Sequence, residues 1–391
     1  MANWLQPVNR FSNEQKEIYD NIIERLNNDE EYVAIIKGPA GTGKTLILAQ
    51  IAREITDQNS IFFIYTNALR NFLNNAIKKA ETGESTMETS VETFYKWLFS
   101  VYKHNVGTRF PAGEFSEKTD EMIEKLLGNV NENIIDIILV DEGQDFNLNV
   151  IKLLKKVSKK IVFVGDANQS IYESSDDLSD LSKILNPKDQ FQLSISIRIS
   201  PSILKFMRKY VQMIYDDLKT AKREEERDSK PLIYQTMELN DFLNYFIPNV
   251  AVEYLRANKN LVITCRHNED VAYVYEIIRG INNSIKIHKV KKDRDQEMDF
   301  TDNAIFCTTM HSCKGLEFDN LLHLNINNEA YDGVKIEENL AYTVYTRPKE
   351  DLIIYSPDET IPLQKYLDFS YATVIDELDD DGEEMEIEEL I

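Results

Sequence analysis

The stretch Val33-Ala34-Ile35-Ile36-Lys37-Gly38-Pro39-Ala40-Gly41-Thr42-Gly43-Lys44-Thr45-Leu46-Ile47-Leu48 decides the fold. Its opening run, rich in Val and Ile, predicts a buried strand. A glycine-rich loop follows, then apolar residues at helical spacing. Inside lies G-x-x-x-x-G-K-T, from Gly38 to Thr45. Gly38, Gly41 and Gly43 let the backbone curl until its N–H groups point into one concavity. That concavity and the helix N-terminus behind it suit phosphate. Lys44 adds positive charge for the outer phosphates, and the Thr45 hydroxyl can reach Mg²⁺. Strand, loop and helix in this order separate the motif from an ordinary glycine turn.

Working outward, Ile134-Ile135-Asp136-Ile137-Ile138-Leu139-Val140 reads as another buried strand, ending in Asp141-Glu142-Gly143-Gln144-Asp145. An acidic pair at a strand end, downstream of a phosphate loop, has a plain use. Asp141 can hold Mg²⁺ and Glu142 can orient and deprotonate a water. Ile61-Phe62-Phe63-Ile64-Tyr65 and Ile161-Val162-Phe163-Val164 read as strands too. Four strands alternating with helices predict a parallel, doubly wound α/β sheet with ligands at the strand C-termini. Ser12 and Gln15 have capping-box spacing before the first helix. Gly107, Pro111 and Gly113 break the region from about Tyr102 to Gly128, which reads as a short, loop-rich insertion.

A second α/β series is expected after Asn186-Pro187. Its strands are expected at Phe191 to Ile195, Leu232 to Gln235, Leu261 to Cys265, Ile285 to Val290, Ala304 to Thr308 and Asn320 to Leu324. Helices are expected at Pro201 to Leu218, Leu239 to Ala257, Asn268 to Arg279 and Ile336 to Tyr345. The domains are therefore 1–187 and 188–375, followed by an acidic tail, 376–391, too charged to pack.

The 391 residues are 42% hydrophobic, enough for two sizeable cores. No stretch has the apolar length of a membrane span, and the first residues lack a signal-peptide pattern. Cys265, Cys307 and Cys313 show no paired spacing, so reduced thiols in the cytoplasm are expected. The net charge is −23. Ten acidic residues and no basic one lie between Asp376 and Glu389, and the body without them still carries −13. Any nucleic-acid contact must be a local groove. Lys152, Lys155, Lys156, Lys159 and Lys160 fall on roughly one face, either a solvated face or one of the few basic surfaces available.

Taken in order, these motifs resemble the UvrD/Rep-like superfamily 1 helicases from Phe11 to about Tyr355. Asp141-Glu142-Gly143-Gln144-Asp145 is similar to D-E-x-Q-D, and Gly165-Asp166 through Gln169-Ser170-Ile171-Tyr172 to G-D-x-x-Q-S-I-Y. Thr309-Met310-His311-Ser312-Cys313-Lys314-Gly315-Leu316-Glu317-Phe318 is similar to T-x-H-x-x-K-G-L-E-F, and Thr346-Arg347 closes the series. The resemblance implies two RecA-like parallel-sheet domains with the ATP site in the cleft between them. It implies that Gln15 reads adenine, that Gln169, Arg198 and Arg347 face the γ-phosphate, and that Glu317, after Gly315, binds ribose. Thr66, Asn67, Thr93, Phe94, Tyr172 and His311 become candidate nucleic-acid contacts. The implied activity is Mg²⁺-dependent ATP hydrolysis coupled to movement on single-stranded DNA, with RNA open.

Three departures stand out. Ile197 precedes Arg198 where the family has an aromatic residue. Glu173-Ser174-Ser175 follow the tyrosine where the family has an aromatic and an arginine. Only Lys291 to Asp302 stand where the family has a large helical insertion. Base–aromatic stacking is worth roughly 1–3 kcal/mol per base, so the grip on a single strand is expected to be weak. The same features suit an alternative: a helicase-like switch or scaffold subunit serving a partner such as a nuclease in a repair or anti-phage complex, with the acidic tail as a contact. A metabolic kinase would leave D-E-x-Q-D, T-x-H-x-x-K-G-L-E-F and Thr346-Arg347 without a role.

Overall fold

The computed structural model describes residues 7–55, 58–64, 70, 73, 77, 89–166, 169–170, 178–212, 219–220, 229–290, 302–327 and 334–376. The chain divides into two compact units, residues 1–194 and 195–391.

The first unit has six parallel strands: β1 (Tyr32–Lys37), β2 (Ser60–Ile64), β3 (Ser90–Thr93), β4 (Ile137–Val140), β5 (Lys160–Gly165) and β6 (Asp189–Gln192), in the order β3-β2-β4-β5-β1-β6. Side chains alternate between the faces of a strand. Ala34 and Ile36 pack on Ile22, Leu26, Ile47 and Ile51 of the helices α1 (Asn13–Asn28) and α2 (Lys44–Glu54). Ile35 and Phe63 pack on the other face, against Trp97 and Leu98 of α3 (Phe94–Asn105) and Leu153 and Leu154 of α5 (Leu148–Val157). Between these two helices lies α4, Phe115–Asn129, where the sequence suggested loop. All three breakers fall before residue 114, and Met122, Ile123 and Leu126 give α4 a buried stripe. After a further helix, α6 (Leu178–Leu185), the chain makes one more parallel pairing, Ile36 with Phe191, before leaving the sheet. Phe191 thus belongs to the first sheet, and the first unit runs past the expected border at Asn186-Pro187 to Ser194.

The lysine stripe has a structural occupation. Lys155 Nζ donates to the carbonyl of Ile184 at 2.8 Å, Lys160 Nζ to that of Leu26 at 2.7 Å, and Lys156 Nζ to that of Leu127. Each acceptor lies in the last turn of a helix, respectively α6, α1 and α4. Carbonyls there lack intrahelical donors and face the negative end of the helix dipole, so an ammonium satisfies both needs. Lys159 pairs with Glu31 at 2.9 Å.

The second unit is built on seven parallel strands: β9 (Leu232–Gln235), β10 (Leu261–Cys265), β11 (Ile287–Lys289), β12 (Ile305–Thr309), β13 (Phe318–Leu324), β14 (Pro348–Ser356) and β15 (Thr373–Ile375). Their order is β11-β12-β10-β13-β14-β9-β15. The short strands β7 (Ile195–Ser196) and β8 (Lys219–Thr220) pair apart from this sheet. The expected helix Leu239 to Ala257 runs as Leu239–Phe246, a wide π-turn at Ile247–Ala251 and Val252–Arg256. Pro248, which has no N–H to donate, sits inside the wide turn. The helix before β14 spans Lys335–Tyr345. The architecture is the expected one, two α/β units each with a parallel sheet flanked by helices. Several expectations lie outside the described residues: Thr66, Asn67, Tyr172, Glu173-Ser174-Ser175, most of Lys222 to Lys230 and of Lys291 to Asp302, and the tail beyond residue 376.

One polar row crosses this second sheet. Thr308, Thr264 and His323 are register partners on β12, β10 and β13, and all three are fully buried. His323 Nδ1 lies 3.2 Å from the Thr264 hydroxyl. Burial disfavours the imidazolium and pushes the His323 pKa down to about 4, against a partial upward effect of Thr264. The unfolded chain, with an ordinary histidine near 6.5, binds the proton first. The stability supplied by neutral His323 is therefore present above pH 6.5 and is lost as the pH falls toward 4. Between pH 7 and pH 4.5 the loss is about 2–3 kcal/mol. Denaturant titrations of the wild type and His323→Leu at both pH values check this: the wild type should lose that much more than the variant.

Candidate nucleotide site

The site begins where β1 ends. Gly41 and Gly43 have φ of +73° and +85°, the left-handed region that favours glycine. Gly38 is required for space: a Cβ there would stand 2.9 Å from Leu193 Cβ and 2.9 Å from Thr42 Oγ1. Pro39 and Ala40 complete the curl, and the Thr42 hydroxyl donates to the Pro39 carbonyl at 3.0 Å. Lys44 opens α2, and its ammonium donates to the carbonyls of Gly38 and Pro39 at 2.7 and 2.9 Å. The cation thus rests on the rim of the loop.

Gln15 does two jobs here. Its Oε1 accepts from the Ser12 N–H at 3.0 Å, and its own N–H donates to Ser12 Oγ at 3.2 Å, a complete capping box. Its Nε2 donates to the Thr42 carbonyl at 2.9 Å, joining the first helix to the phosphate loop.

Opposite the loop stands the end of β4. Thr45 Oγ1 donates to Asp141 Oδ2 at 2.8 Å, bringing both expected metal ligands to one point. Two hard oxygens this close fit Mg²⁺, which takes one or two protein oxygens and keeps several waters. Burial, and next the neighbouring Glu142, raise the Asp141 pKa to about 7, while Thr45 and Lys44 work against the rise. Glu142 has φ of +51°, uncommon for a residue with a side chain. The sequence reading gave Gln144 no role of its own, yet it joins the two strand ends. Its Nε2 donates to Glu142 Oε2 at 2.6 Å, and its Oε1 accepts from the Asp166 N–H at 3.0 Å. Gln169 Nε2 then donates to Asp166 Oδ2 at 2.7 Å. The run Thr45, Asp141, Glu142, Gln144, Asp166, Gln169 is thereby connected from α2 through the ends of β4 and β5. The Q of D-E-x-Q-D was the available signal.

The second unit gathers the other candidates into two groups. Arg198 Nη1 donates to Glu317 Oε1 at 2.7 Å, so these two residues hold each other. Burial alone would raise the Glu317 pKa, but Arg198, then Lys349, with Arg347 as a further cation, hold it below the usual carboxylate range. Arg347 is buried and its Nε donates to the Thr343 carbonyl at 2.9 Å. Glu317 and Arg347 directly precede β13 and β14, where Phe318 pairs with Pro348. Gly315, with φ of +76°, turns the chain just before. His311 lies instead beyond the C-terminal end of β12, with its Nδ1 3.4 Å from Arg266 Nη1. Arg266, which the sequence reading passed over, also pairs with Glu337. A cation directly after a buried strand was its signal.

Two of the expected nucleic-acid contacts sit together at the end of β3. Thr93 is half-buried. Phe94 is buried among Phe63, Trp97 and Phe146, so as placed here it is a core residue and offers no face to a base.

A family profile described as an AAA domain matches residues 23–175, from the first helix through the phosphate loop and D-E-x-Q-D to just past Gln169. None of the curated proteins matches the chain significantly. Among solved structures, the C-terminal domain of a possible DNA helicase from Lactobacillus plantarum is similar at 14% identity and a TM-score of 0.35, over 46% of this chain and 98% of that one. The arterivirus nonstructural protein 10, a helicase, is similar at 14% identity and a TM-score of 0.44. That likeness covers 90% of this chain and 64% of the viral one.

Gly143 makes the geometry testable. A Cβ at this position would stand 2.1 Å from Cζ of Phe163, a fully buried ring on β5. Gly143→Ala should cost about 1–3 kcal/mol by overpacking. Made in a Phe163→Leu background, which removes the ring, the same change should cost markedly less. Urea unfolding of the two singles and the double checks it.

Proposed function

We propose that the chain is a Mg²⁺-dependent ATPase of superfamily 1 helicase type, which couples hydrolysis to movement on single-stranded nucleic acid. The observation that carries this reading is the hydrogen-bonded run from Thr45 to Gln169 beside the phosphate loop. An ATP phosphate in the concavity would draw the Lys44 ammonium off the Gly38 and Pro39 carbonyls. Bound Mg²⁺ would supply positive charge for the outer phosphates, held by Thr45 and Asp141. Glu142 is the proposed general base. Gln144 anchors one of its carboxylate oxygens and so fixes the direction of the other. Gln169, Arg198 and Arg347 are assigned to the γ-phosphate, and Gln15 to the base. For Arg198, binding phosphate would exchange one anion, Glu317, for another.

The alternative, an ATP-driven switch subunit, draws on the acidity of the chain and on lysines already spent on helix ends. The two readings part on one measurement, ATP turnover with and without single-stranded DNA or RNA. A translocase is stimulated by the strand; a switch subunit without its partner is not.

Lys44→Ala and Glu142→Gln should both abolish turnover. Glu142→Gln should still bind ATP, since it keeps the shape and loses only the base. Arg347→Ala should lower turnover by a factor on the order of 10³, with nucleotide affinity less affected. Steady-state turnover together with fluorescent-nucleotide binding checks all three, and normal turnover in Glu142→Gln would remove the assignment.

A further inference from the structure

The twenty residues from Phe94 to Gly113 contain no Asp or Glu, in a chain with 67 acidic residues. They hold Lys96, Lys103 and Arg109, all exposed. They also hold six aromatic residues. The segment is α3 and the loop leading to α4. The loop folds back so that Phe110 meets Phe99 at 5.3 Å and Tyr102 at 5.6 Å between ring centroids. Phe115, at the start of α4, meets Tyr95 at 4.8 Å. The rings are not covered: Phe110 is 36% exposed and Phe115 56%. Lys118 Nζ lies 5.0 Å from the Phe99 ring centroid and 5.5 Å from that of Phe110. Lys96 and Lys103 stand three residues before and four residues after Phe99, the spacing of neighbours on a helix surface. The carboxylates bordering these residues are Glu114 and Glu117, Asp120, whose charge reaches Tyr95, and Glu121, which pairs with Lys125 beside Tyr102.

We propose that this surface is a docking site for a single-stranded nucleic acid, with bases stacked on Phe110 and Phe115 and phosphates on Lys96, Lys103 and Arg109. The inference rests on the nucleic-acid reading above and adds the place where the strand is held. Two observations favour a strand over a protein partner. Exposed aromatic rings interleaved with cations are what sequence-tolerant strand binding uses. Four of the five lysines of the other basic stripe are tied to helix carbonyls or to Glu31, and Lys152 Nζ lies 3.4 Å from Asn149 Oδ1, whereas the segment from Phe94 to Gly113 is free of carboxylates. The surface also supplies what the chain lacks at Glu173-Ser174-Ser175.

The test uses the full chain and a fluorescent oligothymidylate, titrated by anisotropy at several salt concentrations. Phe110→Ala and Phe115→Ala should each weaken binding by roughly tenfold and leave the slope of log affinity against log salt unchanged. Phe115→Trp should retain binding. Phe115→Leu, which keeps the apolar packing without a π face, should lose it as alanine does. Lys103→Gln should flatten the salt slope by about 0.7. An unchanged affinity in the Phe110→Ala/Phe115→Ala double variant, with strand-stimulated ATPase intact, would overturn this inference and leave the proposed function standing. A wild type that binds no oligonucleotide at any salt would overturn both. A wild type that self-associates, with a monomeric double variant of unchanged oligonucleotide affinity, would assign the surface to a second copy of the chain and overturn the proposal.

Discussion

The hydrogen bond from Thr45 to Asp141 fixes the first site. It joins the start of a helix to the end of a strand that is two places away in the sheet, so it forms only when β5 lies between β1 and β4. It also sets the electrostatics. Asp141 and Glu142 are adjacent carboxylates, both buried, and water alone cannot stabilise both charges there. One hydroxyl and one lysine offset part of that cost. The remaining demand for positive charge is one that a divalent cation would meet.

The second unit distributes its candidates differently. The ten residues Thr309 to Phe318 begin at the C-terminal end of β12 and finish at the start of β13, and so pass from one edge of the sheet to the other. His311 belongs to the first edge, with Arg266 and Glu337. Glu317 belongs to the second, with Arg198 and the cations near it. Parallel sheets are expected to place ligands at strand C-termini, and that expectation matches where the phosphate loop and the acidic pair of the first unit lie. In the second unit it describes His311 and not Glu317.

Much of this was legible in the residues. β9 and β10 have the expected bounds because short apolar runs between polar turns admit one reading. The phosphate loop and the acidic pair stood out by residue type and spacing, and Thr45 and Asp141 do come together. Other elements depend on context that no local pattern carries. β6 is an edge strand whose polar side chains alternate into solvent, so Phe191 alone hinted at burial, and nothing local said which sheet would take it. β14 begins Pro-Lys-Glu-Asp and becomes a strand because β13 and β9 flank it. Phe94 read as a candidate nucleic-acid contact, and its packing on Phe63, Trp97 and Phe146, remote in sequence or one turn on, makes it core. The lysine stripe read as a surface charge pattern, because the helix ends it satisfies are remote in sequence.

The order of the strands also sets a timetable. β1 is made early, yet its inner neighbour is β5, and Asp141 follows Thr45 by 96 residues. At a synthesis rate of about 5–20 residues per second, the phosphate loop leaves the ribosome roughly 5–20 s before the carboxylate that answers it. Throughout that interval the backbone groups along both edges of β1 have no native strand partner, because β5 and β6 are both still to be made. The nascent chain is thus most exposed to mispairing at the segment on which its chemistry depends, and the window closes only when β5 slides in beside it.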